Sequence, residues 1–193
     1  MKEELRKITE NLWTFPNVLT MLRILMIPVF VILYLCGHSF WALGVFVLAS
    51  LTDAFDGYLA RKNNQITEFG KLMDPFADKL MVCSVLLCFV LRGVFPLPAL
   101  LIVSCKELFM VFGSMYMLQK GVVVHSIMVG KVATCLFIAS IILGFFHDQF
   151  SALGVQADVI LLWISIPVAL AALTVYILQS KKALDAMKES KPE

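Results

Sequence analysis

Four aspartates stand in two otherwise apolar stretches of the sequence, and their chemistry points to a metal site. They are Asp53, Asp56, Asp74 and Asp78. A carboxylate at the centre of a bilayer costs roughly 2.5–3.5 kcal/mol on insertion scales. Four of them repel one another unless a counter-charge compensates them. Because oxygen ligands suit hard divalent cations such as Mg²⁺ and Mn²⁺, the residues predict a divalent-metal site.

The spacing of the aspartates places them in pairs. Asp53 and Asp56 are three residues apart, and Asp74 and Asp78 are four apart, so each pair shares one face of a helix. At a rise of about 1.5 Å per residue, both pairs lie within about 12 Å of one membrane boundary. Two antiparallel helices joined by a turn over residues 62–70 would bring the pairs together.

The residues between the aspartates fit a phosphate ligand. Gly57 and Ala60 leave the helix face bare, so a bulky group can approach the backbone. Arg61 can hold a phosphate through two hydrogen bonds. Gly70 provides room or a turn with positive φ. At such a site, two metal ions could stabilise both the attacking and the leaving oxygen of a phosphoryl displacement.

The elements that must position these residues are membrane spans. The chain has 193 residues, of which 60% are hydrophobic and 16% charged, whereas soluble domains average about 25% charged residues. Each of six apolar stretches is close to the ~20 residues that cross ~30 Å of hydrocarbon. These stretches cover residues 17–37, 39–62, 71–92, 95–119, 127–147 and 157–180. We therefore predict an all-α integral membrane protein with six transmembrane helices.

The two ends of the chain have a different character. Met1, Leu5, Ile8 and Leu12 fall on one helical face, and Trp13 follows them. This pattern predicts an amphipathic helix over residues 1–15 that lies in the membrane interface. A six-span domain over residues 16–180 follows, and residues 181–193 are expected to form a polar cytoplasmic tail with a frayed helix.

The distribution of basic residues predicts the orientation. On one side of the six predicted spans the turns contain only Arg92. The other side has many lysines and arginines, which the positive-inside rule assigns to the cytoplasm. These are Lys2, Arg6, Lys7, Arg61, Lys62, Lys71, Lys120, Lys131, Lys181, Lys182, Lys188 and Lys191. We therefore expect a multi-pass protein of the plasma membrane, with both termini and the site on the cytoplasmic side.

The pattern D-x2-D-G-x2-A-R-x8-G-x3-D-x3-D, from Asp53 to Asp78, resembles the signature of the CDP-alcohol phosphotransferase family, with all eight positions present. The flanks, residues 16–20 with Arg23 and residues 69–80, look like those of bacterial members that use glycerol 3-phosphate. Beyond about residue 105 the likeness is looser. Lys106-Glu107 stands where those members usually have Arg-Glu, and Gly130-Lys131 is similar to a pair that opens their fifth span.

The resemblance implies a reaction and roles for individual residues. Asp53, Asp56, Asp74 and Asp78 would hold two divalent cations, Mg²⁺ or Mn²⁺. Asp78 would also be the general base for an acceptor hydroxyl that attacks the β-phosphorus of CDP-diacylglycerol, with release of CMP. Similar proteins are homodimers. The residues implied for binding CDP-diacylglycerol are Asn17, Thr20, Gly57, Ala60, Arg61, Thr67 and Gly70.

The acceptor is less strongly indicated. Glycerol 3-phosphate, which the resemblance favours, brings a phosphate and needs cations besides Arg61. The candidates are Lys71, Lys79, Lys106 and Lys131, with Arg23 as a further one. Ion pairs of Asp78 with Lys79 and of Glu107 with Lys106, or snorkelling of Lys106, are the structural alternative, and Lys131 could simply follow the positive-inside rule.

Other functions remain open at this point. Phosphatidylglycerol, inositol phosphate or serine could replace glycerol 3-phosphate as acceptor in the same chemistry. A divalent-cation transporter could also use the aspartates, but it has no use for Gly57, Ala60 and Arg61 in register with them. The expected partners are membrane lipid, CDP-diacylglycerol and a polar alcohol, not nucleic acid.

Overall fold

The computed structural model describes the backbone of residues 15–62, 68–120 and 128–189, and the side chains of residues 18–52, 76–117, 120 and 128–184. Within these ranges all the regular structure is α-helical, which confirms the predicted all-α class. The helices are α1 (Phe15–Leu35), α2 (Ser39–Lys62), α3 (Glu68–Leu91), α4 (Leu97–Gln119), α5 (Met128–Gly144), α6 (His147–Ala152) and α7 (Ala157–Glu189). The predicted amphipathic helix over residues 1–15 lies outside the described residues, apart from Phe15.

Five of the long helices begin and end within a few residues of the apolar stretches that predict them. The sixth, α7, continues to Glu189, past the end of its apolar stretch at residue 180 and into the tail in which a frayed helix was expected. Alanine, leucine and lysine in this extension are strong helix formers, so the helix persists after the apolar run stops. The short helix α6 lies in the turn between α5 and α7 and was not predicted.

Three of the described helices are long and apolar enough to cross a bilayer. They contain the segments Val18–Leu35, Leu97–Met117 and Ala157–Leu184. Shorter apolar segments, Ser39–Thr52 and Met128–Gly144, lie in α2 and α5. In the sequence, Asp53 and the other charged residues of the signature follow Thr52. The membrane character is therefore clear, whereas the count of six spans stays a prediction.

The chain divides into two compact units, residues 1–88 and 89–193. In the first unit, α1 packs against α2. The connection between them is a tight turn in which Gly37 has φ of 88°. The backbone N–H of His38 donates to Leu33 O at 2.9 Å, and that of Gly37 donates to Tyr34 O at 3.0 Å. This is a Schellman motif, in which glycine avoids the steric cost of a positive φ. The two helices are consequently antiparallel.

The buried residues of α1 and α2 form one stripe on each helix. In α1 they are Thr20, Arg23, Phe30 and Tyr34, each at most 3% exposed. In α2 they are Ala42, Phe46 and Ala49. Residues separated by alternating steps of three and four lie on one side of a helix, so each stripe is a continuous packing face.

In the second unit, α4 and α5 both pack against α7. An aromatic cluster lies at one end of α5, where the Phe89 ring meets Phe95 and Phe145 edge to face at centroid distances of 5.0 and 5.1 Å. Phe89 is fully buried. Its ring occupies the space beside Gly144, where an added Cβ would lie 2.5 Å from Phe89 Cε2. Glycine at position 144 therefore permits this close packing.

Candidate active site

The backbone is helical at all four aspartates of the signature. Asp53 and Asp56 lie in α2, and Asp74 and Asp78 lie in α3. Asp53 precedes the end of α2 at Lys62 by nine residues, or about 13 Å. Asp78 follows the beginning of α3 at Glu68 by ten residues, or about 15 Å. Both pairs are therefore at similar distances from the helix ends that residues 63–67 connect.

The described side chains cover only part of the predicted site. Thr67 lies outside the described residues altogether. For the remaining predicted positions in residues 17 and 53–74 the structure gives a helical backbone but no description of the side chain. These positions are Asn17, Asp53, Asp56, Gly57, Ala60, Arg61, Gly70, Lys71 and Asp74.

Asp78 is the aspartate of the signature whose side chain is described. Its side chain is 44% exposed, and its Oδ2 lies 3.2 Å from Lys79 Nζ. The preceding residue, Ala77, is fully buried and belongs to a core stripe of α3 that includes Met81 and Val85. Asp78 therefore lies at the edge of the packed face, where a carboxylate is accessible to a ligand while a lysine balances its charge.

Two polar residues of α1 are buried. Thr20 and Arg23 are both 2% exposed and lie three residues apart. Thr20 was predicted to bind CDP-diacylglycerol, and its burial with Arg23 distinguishes these two positions from the exposed face of α1, to which Leu25 and Val29 belong. A charged side chain inside a membrane helix is costly unless it serves a partner, so Arg23 is a strong candidate for a functional role.

Lys106 and Glu107 form an ion pair in the middle of α4. Lys106 Nζ lies 2.6 Å from Glu107 Oε1, and their side chains are 19% and 11% exposed. Successive positions of a helix do not face each other, so the lysine chain bends along the helix surface to reach its neighbour. The ion pairs that the sequence left open as an alternative role are therefore present in the structure, for Lys106 with Glu107 and for Lys79 with Asp78.

Lys131 lies in the first turn of α5 and is exposed. Its position at a helix end fits both of the roles that the sequence left open, a positive-inside lysine and an acceptor-binding cation.

One buried polar pair was not predicted from the sequence. His147 Nδ1 and Asp158 Oδ2 lie 2.7 Å apart, and Asp158 is fully buried in the first turn of α7. A carboxylate only accepts hydrogen bonds, so the imidazole Nδ1–H is the donor. The signal was present in the sequence, because both polar residues are at the very ends of apolar stretches.

The chemistry of the donor set fits divalent cations. Asp53, Asp56, Asp74 and Asp78 offer only carboxylate oxygens, which are the ligands of Mg²⁺ and Mn²⁺. Among the residues whose side chains are described, no group of three or more His, Cys, Asp or Glu could hold a metal ion. Apart from Asp78, the side chains of the four aspartates are outside the described part of the structure, so the metal site stays a prediction from the sequence.

Comparison with known proteins decides the family. The sequence profile of the CDP-alcohol phosphatidyltransferases matches residues 13–171, which is most of the chain. The chain belongs to this family. The match includes α1 to α6 and about half of α7, so the helices before and after the signature in the sequence are part of the family domain.

Individual relatives within the family have names that describe their reactions. A Rickettsia prowazekii protein named CDP-diacylglycerol–glycerol-3-phosphate 3-phosphatidyltransferase is 47% identical over 102 residues, covering 51% of this chain and 55% of that protein. A Bacillus subtilis protein of the same name is 33% identical over 138 residues, covering 64% and 72%. A Streptomyces coelicolor cardiolipin synthase (CMP-forming) is 37% identical over 111 residues, covering 54% and 52%.

These matches cover only part of each protein. The chain spans about half the length of the first of these curated relatives, as the 55% coverage of the Rickettsia prowazekii protein illustrates. They establish the family, and the choice of acceptor belongs to the proposal that follows.

Proposed function

We propose that this protein transfers a phosphatidyl group from CDP-diacylglycerol to sn-glycerol 3-phosphate, forming phosphatidylglycerophosphate and releasing CMP. The observation that carries the proposal is the complete eight-residue signature on α2 and α3, in a chain that matches the family over residues 13–171. The names of the Rickettsia prowazekii and Bacillus subtilis relatives support this acceptor.

Asp78 is the proposed general base. In the reaction its carboxylate takes the proton of the acceptor hydroxyl as the hydroxyl oxygen bonds to the β-phosphorus of CDP-diacylglycerol. The bond from that phosphorus to the oxygen of CMP breaks, and the electron pair leaves with CMP. General bases act within hydrogen-bond reach of the proton, and the exposure of Asp78, 44%, supports access of an acceptor to it.

The metal ions supply a second part of the chemistry. Asp53, Asp56, Asp74 and Asp78 would hold two divalent cations, Mg²⁺ or Mn²⁺, which when bound stabilise negative charge on the reacting phosphate oxygens. Arg61 would bind the diphosphate through its planar fork of donors. Gly57, Ala60, Thr67 and Gly70 would line the nucleotide side, and Asn17 and Thr20 of α1 would close the site.

The acceptor phosphate requires additional cations. Lys71, Lys79, Lys106 and Lys131 are the proposed set. Lys79 and Lys106 each contact a neighbouring carboxylate, at 3.2 and 2.6 Å respectively. An acceptor phosphate would therefore have to compete with Asp78 or Glu107 for these ammonium groups. Through this competition, Asp78 and Glu107 would influence which acceptor binds.

The architecture completes the proposal. We infer six transmembrane helices, an interfacial helix over residues 1–15, and an active site and both termini on the cytoplasmic side of the plasma membrane. The scissile diphosphate of CDP-diacylglycerol lies at the headgroup level while its acyl chains lie in lipid, which suits acids about one to two helical turns inside the boundary. The protein would act as a homodimer.

A cardiolipin synthase activity is the second candidate, because the Streptomyces coelicolor relative has that name. It uses the same donor with phosphatidylglycerol as acceptor. Inositol phosphate and serine are further acceptors that the shared chemistry permits, and a divalent-cation transporter is the remote alternative.

One assay separates these functions. Purified protein is mixed with CDP-diacylglycerol, Mg²⁺ or Mn²⁺, and each acceptor in turn, and CMP release is measured. The proposal predicts release with glycerol 3-phosphate and little with the other acceptors. Preferential release with phosphatidylglycerol would favour the cardiolipin synthase, and metal uptake into vesicles without any CMP release would favour the transporter.

A further inference from the structure

Arg23 occupies an unusual environment for a charged residue. It lies within the apolar segment Val18–Leu35 of α1 and is 2% exposed. The residue takes part in at least one interaction within the protein. A buried arginine in a membrane helix is expensive unless a specific partner offsets its charge. Such a partner is expected on the neighbouring helix at the same depth as Arg23.

The hairpin of α1 and α2 brings Asp53 to a depth similar to that of Arg23. Arg23 is twelve residues, or about 18 Å, from the end of α1 at Leu35. Asp53 is fourteen residues, or about 21 Å, from the beginning of α2 at Ser39. Because the Gly37 turn makes the helices antiparallel and they pack against each other, Arg23 and Asp53 lie at nearly the same level.

The spacing of the buried positions on α1 and α2 also matches Arg23 with Asp53, and this observation does not depend on their depth in the membrane. In α1 the buried positions Arg23, Phe30 and Tyr34 follow steps of seven and four. In α2 the buried positions Ala42, Phe46 and Ala49 follow steps of four and three, and the next step of four along this continuous helix reaches Asp53. Arg23 thus belongs to the packing face of α1, and Asp53 continues the packing face of α2 in register.

We propose that Arg23 is a positioning residue that pairs with Asp53 from the adjacent helix and holds this carboxylate in the site. The positive charge of a guanidinium attracts a carboxylate on the facing helix, and this attraction is stronger away from water. Arg23 would also offset part of the repulsion among the four aspartates. The role of Asp53 as a metal ligand rests on the proposed function, whereas the pairing itself does not require any catalytic activity.

The test is a double-substitution cycle on the whole protein in detergent with EDTA, read by thermal unfolding. The variants are Arg23→Met, Asp53→Asn and the double substitution. Removing one member of a buried pair leaves the other charge without compensation. We expect Asp53→Asn to lower Tm in the wild-type background and to raise it in the Arg23→Met background. The two shifts in Tm should differ by at least about 4 °C. An equal shift in both backgrounds would overturn the pairing.

Two further variants make the outcome specific. Arg23→Lys keeps the charge on a shorter side chain, so the effect of Asp53→Asn on Tm should lie between its effects in the wild-type and Arg23→Met backgrounds. Ser50→Ala in α2 removes the hydroxyl of an exposed residue, which donates to Phe46 O at 2.9 Å. This control should shift Tm equally in the wild-type and Arg23→Met backgrounds. A stronger coupling of Arg23 to Asp56 than to Asp53 would also overturn the assignment.

The cycle remains decisive if Arg23→Met does not fold. In that case the double substitution should restore folded, monodisperse protein, because both charges are then absent, and a failure to restore it would count against the pair. Because the cycle is measured without metal or substrate, the CMP-release assay tests the proposed function separately. A protein that releases no CMP could still show the Tm coupling between Arg23 and Asp53, and a protein that releases CMP could lack this coupling.

Discussion

The carboxylate of Asp158 and the imidazole of His147 join the two ends of the turn that connects α5 to α7, with Nδ1 and Oδ2 2.7 Å apart. Asp158 is fully buried, and its other oxygen, Oδ1, has no hydrogen-bond partner among the described residues. The bond to His147 therefore compensates a carboxylate that has lost contact with water. It fixes α6 against the beginning of α7.

Replacing His147 with alanine should destabilise the protein. A buried acceptor left without its donor costs about 1–3 kcal/mol, and more when it is charged, which corresponds to about 2–4 °C in Tm per kcal/mol for a chain of this size. Thermal unfolding in detergent measures the change. Asp148→Asn is the matched control, since Asp148 is exposed in the same short helix. Equal Tm values for His147→Ala and the control would show that the hydrogen bond contributes no stability.

Gly144→Ala should also lower stability, for a steric reason. The new Cβ would lie 2.5 Å from Phe89 Cε2, and the Phe89 ring is held between Phe95 and Phe145. Overpacking of a buried site costs about 1–3 kcal/mol. Gly44→Ala in α2, which has nothing within 4 Å of the added atom, should be neutral or slightly stabilising because alanine is the better helix former.

A second substitution distinguishes the steric cause from other effects at position 144. Phe89→Leu removes the clashing ring carbons, so Gly144→Ala should cost less Tm in that background than in the wild type. The same loss in both backgrounds would mean that the ring of Phe89 is not the obstacle.

Asp78→Asn should abolish phosphatidyl transfer without unfolding the protein. The amide cannot accept the proton of the acceptor hydroxyl, and loss of a general base typically lowers the rate by about 10²–10⁴-fold. The side chain is 44% exposed at the edge of the core, so Tm should change little. CMP release and thermal unfolding measure the two quantities. Turnover near the wild-type rate would remove Asp78 from the mechanism, and Asp148→Asn should remain fully active.

Lys106 offers a test of the acceptor site. If its ammonium binds the acceptor phosphate, Lys106→Met should raise the KM for glycerol 3-phosphate about tenfold or more, since the loss of about 1.4 kcal/mol of binding corresponds to a factor of ten. Lys106→Arg should retain most of the affinity because it keeps the charge. If Lys106 only pairs with Glu107 at 2.6 Å, Lys106→Met will change Tm and leave KM unaltered.

The orientation can be tested with single cysteines. Cys36, Cys105 and Cys135 are exposed, so a background without native cysteines is needed. In intact cells, a membrane-impermeant maleimide should label Gln149→Cys in α6 but not Lys182→Cys in α7, because the positive-inside rule places the latter in the cytoplasm. The reverse labelling pattern would invert the proposed topology.

The sequence alone predicted most of the helical architecture. Apolar runs such as those of α1 and α4 are too long and too apolar for soluble loops, and both are helical in the structure. The signature from Asp53 to Asp78 also identified the family, because its eight positions combine acids with small residues and an arginine in a fixed order. Such local information is contained in residue type and spacing.

Other features depend on which residues meet after folding. The pairing of His147 with Asp158 across eleven positions, and the contact of Gly144 with Phe89, follow from how α5 to α7 and the end of α3 pack in the second unit. No periodicity signals either contact. The burial of Arg23 is similar, because only the packing of α1 against α2 shows that this arginine belongs to the internal face. The sequence by itself determined the helices and the order of the chemical groups, whereas the tertiary structure decided which charges are buried, since burial depends on neighbours distant in the chain.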